Sequence, residues 1–208
     1  SNESRSYFEA INYRVEEEKM AVVIQEVVGN EFDGYFYPHI SGTAQSRNYY
    51  PVAHMEPEDG FAISALGLGH YVVQGEKAYR FSPKYPDLEV NSPHNLFRDS
   101  QVDFVALDMN CQDPDMLRKG SEANLKRMSI SVAEKHNSIQ HLVSVYDPQN
   151  DRIEAGLSRS GPRILNFANI LKYNYIPLAK TIEFILDVGK EALGSPVEIE
   201  YAVDLNKA

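Results

Sequence analysis

The chain has no tryptophan, a single cysteine and no basic excess. Its 20 lysines and arginines stand against 30 aspartates and glutamates, a formal charge of −10. The lone Cys111 excludes an intramolecular disulfide framework and fits a reducing, cytoplasmic compartment. The acidic balance supplies no field to displace counterions from a nucleic-acid backbone, so nucleic acid is not an expected partner. No run approaches the ~18 apolar residues of a spanning helix. No basic stretch followed by an apolar one opens the chain, so neither a membrane span nor a secretory signal is expected. A complete catalytic motif is also missing. The six histidines (His39, His54, His70, His94, His136 and His141) show no helical metal spacing and read as structural or exposed. Cys111 has no motif around it and reads as an incidental thiol.

What is present fits one domain of 208 residues with 43% hydrophobic content, enough for a sizeable core. Residues 6–19 are polar and acidic and predict a short helix. The run MAVVIQEVV at 20–28, closed by Gly29-Asn30, has the pattern of a buried strand. Residues 35–47 alternate imperfectly, and Ser41-Gly42 marks either a bulge or a close backbone approach. Short strands are expected at 61–66 and 71–73, split by Gly67-Leu68-Gly69, with an irregular loop over 83–101 and a strand at 103–109. Asp113-Pro114 predicts a cap and a short helix to about residue 119. Alternation at Met128, Ile130 and Val132, then a turn and a return over 139–145, predicts a hairpin. A strong turn follows at 147–151 and a strand at 162–168.

The plainest helix is 177–193. Leu178, Ile182, Ile185, Leu186 and Leu193 form its apolar stripe, proline opens it and Gly194 closes it. Strands with one long late helix and mixed connections make the class α+β, with a mixed or antiparallel sheet. The segment 196–204 (PVEIEYAVD) reads as a last strand close to the end of the sequence, which suggests a piece of a larger protein.

Chemistry concentrates at a few positions. With a period of two, Glu198, Glu200, Ala202 and Asp204 share one face of the last strand, and Val197, Ile199, Tyr201 and Val203 the other. Carboxylates at i and i+2 stand roughly 6–7 Å apart along a strand. That spacing suits Mg²⁺ held beside substrate phosphates, and it equally suits a plain wetted strand face. The GLG turn at 67–69 permits close backbone approach to an anion, but neither a lysine in P-loop register nor a helix is expected after it, which removes the Walker and Rossmann readings. Arg47 and Arg80 end the two inward strands and fit either phosphate or solvent. The tyrosines at 35, 37, 49, 50, 71, 79 and 85 read as core and rim packing.

Three stretches, FYPHISGTAQSRNYYPV, MEPEDGFAISALGLGHYVVQGEKAYRFSPKYP and GSPVEIEYAVDL, occur in an order that resembles the nucleotide-binding domain of phosphoenolpyruvate synthase and pyruvate phosphate dikinase. The resemblance runs from about residue 20 to the C-terminus and implies the C-terminal part of an ATP-grasp-like lobe over 20–208, preceded by a helical segment at 1–19. It implies ATP and Mg²⁺ as cofactors, and phosphohistidine and pyruvate-binding domains as partners within a phosphotransferase. By position, the resemblance makes Gln25, Glu26, Val27 and Val28 the strand whose backbone meets the adenine edge. It puts Arg47 near the phosphates and makes Glu198 and Glu200 the metal-holding carboxylates. The sequence departs from the family where GLGE becomes GLGH at His70. The glutamine-x-arginine after the acidic strand, the basic clamp lobe and the threonine-serine-histidine motif are not found, so the chain alone is expected to lack turnover. A sibling dikinase or antibiotic phosphotransferase, or a non-catalytic nucleotide-sensing domain, are the alternatives.

Overall fold

Glycines, prolines and Asx turns cut this chain into short strands, and long-range pairing rather than sequence order decides which sheet each joins. The computed structural model describes residues 21–112 and 120–207. The helices predicted at 6–19 and from Asp113 lie outside them.

Three antiparallel sheets result. The first joins β1 (Asn30–Phe32), β2 (Tyr35–Tyr37), β6 (Asp103–Asp108) and β7 (Leu125–Ser129) in the order β1-β2-β6-β7. The second has the order β11-β3-β4-β5, from β3 (Ile40–Gln45), β4 (Phe61–Ala65), β5 (Tyr79–Phe81) and β11 (Glu198–Val203). The third is β10-β8-β9, from β8 (Val143–Asp147), β9 (Arg152–Ala155) and β10 (Arg163–Leu165). The expected α+β class stands, with three antiparallel sheets where one mixed or antiparallel sheet was expected.

Five α-helices accompany these strands among the described residues: α1 (His70–Val73), α2 (Pro93–Arg98), α3 (Ile130–Lys135), α4 (Ala168–Leu171) and α5 (Leu178–Leu193). The long one, α5, is where the sequence put it, ending at Gly194 in the left-handed conformation (φ 65°). Its buried line is Leu178, Ala179, Ile182 and Leu186. Ile185 and Leu193 leave the predicted stripe and are 44% and 73% exposed. Ile185 is turned off that line, and Leu193 sits on the last turn. One core cluster runs through all three sheets, joining Tyr37, Phe104, Ile40, Ala62, Val143, Leu165, Phe167, Ile182 and Leu186.

Four expected strands come out differently. Residues 21–28 form no strand and are exposed, Ile24 to 91%. The β1–β2 ladder closes at Asn30↔Tyr37, so their apolar pattern has no partner strand. Residues 71–73 belong to α1, because Val73 N–H donates to Gly69 O (3.0 Å) and Gln74 N–H to His70 O (3.1 Å). The predicted 128–145 hairpin is replaced by β7, α3 and β8. Ser129 caps α3 by accepting from Ser131 N–H, and β7 pairs with β6 instead. Residues 35–47 split into β2 and β3 of different sheets at Pro38-His39. The 83–101 loop contains α2, capped by Ser92 with Pro93 at its start.

Where β3 begins and β11 ends, a buried polar cluster ties the two together. Asp204, only 5% exposed at its side chain, accepts from Asn30 Nδ2 and from Asn206 N–H (2.9 Å). It therefore does not share the wet face predicted for it with Glu198 and Glu200. His39 Nδ1 accepts the Leu205 N–H at 3.2 Å, so it cannot also donate to Asp204 Oδ1 3.5 Å away. The neutral ring agrees with a pKa pushed down by burial, and His141 adds to this against the opposing pull of Asp204. As pH falls below ~6.5, the unfolded chain takes up a proton that folded His39 refuses. Stability present at neutral pH is then lost as pH drops toward the folded-state pKa. Urea midpoints at pH 7.5 and 5.5 check this: the fall on acidification is expected to shrink in His39→Gln, and an unchanged fall would refute it.

Candidate functional site

The second sheet has a core face and an open face, set by the register of β11 on β3. Glu198 lies opposite Gln45, Glu200 opposite Thr43 and Ala202 opposite Ser41. Their side chains share the open face, which explains the alternation along β11 in which Glu198, Glu200 and Ala202 are exposed and Ile199, Tyr201 and Val203 half-buried. On the core side, Tyr201 lies across Gly42. Its hydroxyl donates to Ile63 O (3.0 Å) and pairs with Ser64 Oγ (2.8 Å). A Cβ at Gly42 would come within 2.4 Å of that ring. The expected close approach at Ser41-Gly42 is therefore real, and the register through β3 runs without a bulge.

A cavity of about 440 Å³ opens on the polar face. Gln25, Glu26 and Val28 form one side of it, Ser41 and Thr43 with Glu200 the floor, and Gly69 and His70 the far wall. Three predicted site residues from the 25–28 segment thus meet predicted Glu200; Val27 is exposed beside them and does not line the cavity. Arg47 and Glu198 line an adjoining cavity of about 270 Å³, with Gln45 and Tyr49. The ladder is prolonged there by Ser46, whose N–H donates to Val197 O (2.9 Å) and whose Oγ accepts from Val197 N–H (2.8 Å). Arg47 Nη1 is 3.1 Å from Glu58 Oε1, an exposed pair that a competing anion opens at little cost. Arg80 stacks 3.7 Å over Phe61 and donates to Asn48 Oδ1, so it is engaged within the same sheet.

No group of three or more His, Cys, Asp or Glu is placed to hold a metal among the described residues. Neither Glu198 nor Glu200 has an ion-pair partner among them. Two unneutralised carboxylates on one face fit a Mg²⁺ ion that takes one or two protein carboxylates and completes its shell with phosphate and water.

The glycine turn has a different part from the one its sequence suggested. Gly67 (φ 89°) lies against Val105 O, and Leu68 N–H donates to that oxygen (2.8 Å), docking the second sheet on the first. A one-turn helix does follow it, contrary to expectation, and brings His70 into the cavity wall. His70 Nε2 is 2.8 Å from Gln74 Nε2 and 3.5 Å from Glu122 Oε1. Ser41, Thr43, His70 and Val73 line the cavity although sequence reasoning gave none of them a ligand role. The period-two placement of Ser41 and Thr43 around Gly42 was the available signal.

A family model described as pyruvate phosphate dikinase, AMP/ATP-binding domain, matches residues 1–208. The match runs the length of the chain, so restricting the chain to the C-terminal part of that domain finds no support in it. Comparison with curated proteins and with solved structures returns no match.

Proposed function

Because the chain belongs to the AMP/ATP-binding domain family of pyruvate phosphate dikinase, we propose that its open sheet face is the MgATP-binding wall of a phosphoenolpyruvate synthase-type phosphotransferase with an ATP-grasp-like arrangement. The phosphoryl group passes from ATP through a phosphohistidine on another domain to pyruvate or a related acceptor. The observation that supports this most is the meeting of Gln25, Glu26 and Val28 with Glu200 around one cavity, next to Arg47 and Glu198 on the same face. In this reading the unpaired backbone of 25–28 takes the adenine edge. Arg47 exchanges Glu58 for phosphate oxygens, and Glu198 with Glu200 holds Mg²⁺. The ion supplies neutralisation of phosphate charge when bound. The protein side of the work is positioning and electrostatic complementarity, the main demands of phosphoryl transfer.

Calorimetric titration with ATP, with and without Mg²⁺, tests the reading. Glu200→Gln is expected to weaken MgATP by ~10-fold or more, the scale of a lost charged contact, with little effect on metal-free ATP. Equal affinity of variant and wild type would sink the metal assignment. No binding by wild type would sink the whole reading. The imidazole of His70 in the wall, where the family's turn often carries glutamate, favours a second reading as a nucleotide-sensing domain. MgATP binding without ATP-dependent phosphorylation of any partner domain distinguishes it.

A further inference from the structure

Ser41 is 2% exposed, and its Oγ is buried without a hydrogen-bond partner among the described residues. Buried hydroxyls are nearly always satisfied, so an orphan in a cavity floor calls for a partner that the described residues do not supply. Ser41 lies on the open face of β3 and lines the 440 Å³ cavity beside Thr43 and Glu200. Gly69 faces it, and a methyl group there would already stand in van der Waals contact with the Ser41 Cβ at 3.9 Å, so glycine keeps the turn from crowding the serine further. A serine has one side-chain torsion with three staggered wells, so turning the hydroxyl toward a ligand needs no backbone movement.

Position along the strand identifies which part of a ligand meets it. The segment 25–28 borders the same cavity as Ser41 and Thr43 but not the one at Gln45 and Arg47. From Ser41 to Gln45, which borders the second cavity, the strand advances ~13 Å, a span that a triphosphate chain crosses from its sugar. With the base at 25–28 and the phosphates at Arg47 and Glu198, the unit over Ser41 is the sugar between them. We propose that Ser41 Oγ hydrogen-bonds a ribose hydroxyl and makes the cleft selective for ribonucleotides. The inference rests on the nucleotide reading above and goes beyond it by assigning sugar specificity to one side chain.

The test is calorimetry of the protein with MgATP, its 2′-deoxy and 3′-deoxy analogues, and magnesium tripolyphosphate. Wild type is expected to bind one deoxy analogue ~3- to 10-fold more weakly than MgATP, the scale of one neutral hydrogen bond. Ser41→Ala is expected to lower MgATP affinity by that same factor, leaving that analogue and tripolyphosphate unchanged. Ser41→Cys, which keeps the shape at slightly larger size and has only a weakly hydrogen-bonding thiol, is expected to behave like Ser41→Ala. Equal affinity of wild type for all three nucleotides, a measurement independent of any variant, overturns the inference while leaving the nucleotide reading intact. Equal loss of all four ligands in Ser41→Ala also overturns it, since that marks a structural effect. Failure of wild type to bind MgATP overturns both.

Discussion

Tyr37→Ala is expected to lower folding stability by about 4 kcal/mol, the scale of removing a fully buried aromatic ring. Tyr37 is completely buried, with the rings of Phe32 and Phe104 each 4.7 Å from its own. Its hydroxyl meets His136 Nδ1 at 2.8 Å and Ser138 Oγ at 2.9 Å. Ser138 gives its hydrogen to Ala133 O (3.1 Å), so Tyr37 must donate to Ser138 and accept from a protonated His136 Nδ1. Burial pushes the Tyr37 pKa up to about 12, so the donor persists at any working pH. One side chain thus fastens β2 to the turn after α3 and, through Phe104, to β6. Tyr37→Phe keeps the ring and is expected to cost ~1 kcal/mol. Urea denaturation of both variants decides the matter: equal losses would refute the assignment of most of the effect to ring packing.

Gly42→Ala is expected to cost about 3 kcal/mol, at the upper end for one added methyl group. The new Cβ would stand 2.1 Å from Ile63 O and 2.4 Å from the Tyr201 ring and hydroxyl. Relief requires either that Tyr201 leave, losing its bonds to Ser64 and Ile63, or that β3 and β4 part. Burial holds the pKa of the Tyr201 hydroxyl well above its usual value, so no change of charge eases the contact. Denaturation midpoints give the measurement, and a loss under ~0.5 kcal/mol, within the range of ordinary surface substitutions, would contradict the close approach. Because Gly42 lies between Ser41 and Thr43, the same substitution is expected to loosen the cavity floor as well.

Much of the candidate strand β11 was legible because its pattern is local. Glu198-Ile199-Glu200-Tyr201-Ala202-Val203 alternates charge or small size with bulk, and one pairing partner suffices to turn that alternation into two faces. The 177–193 helix was legible for a similar reason, with its cap residues and buried line contained in one stretch. Residues 21–28 and 128–132 misled because apolar patterning says that burial is favourable, not that a partner strand exists. Tyr71-Val72-Val73 misled because β-branched residues suit strands, yet the turn before them fixes a helical hydrogen bond first. Ser92-Pro93 was readable by the same rule applied to Asp113-Pro114. The cavity was only half legible: Thr43 meets Glu200 through a ladder between opposite ends of the chain, and no local rule supplies such a register.

The segment 21–28 belongs to no ladder, and that sets the thermodynamic character of any ligand held by its backbone. On the proposed reading, a base edge meeting those exposed amide groups would replace water and would not displace a strand neighbour. Fixing each backbone residue forfeits roughly 1–2 kcal/mol of conformational entropy. Four residues from 25 to 28 therefore set against the contacts an ordering term as large as several hydrogen bonds. On the proposed nucleotide reading, that ordering term predicts binding with a favourable enthalpy opposed by entropy.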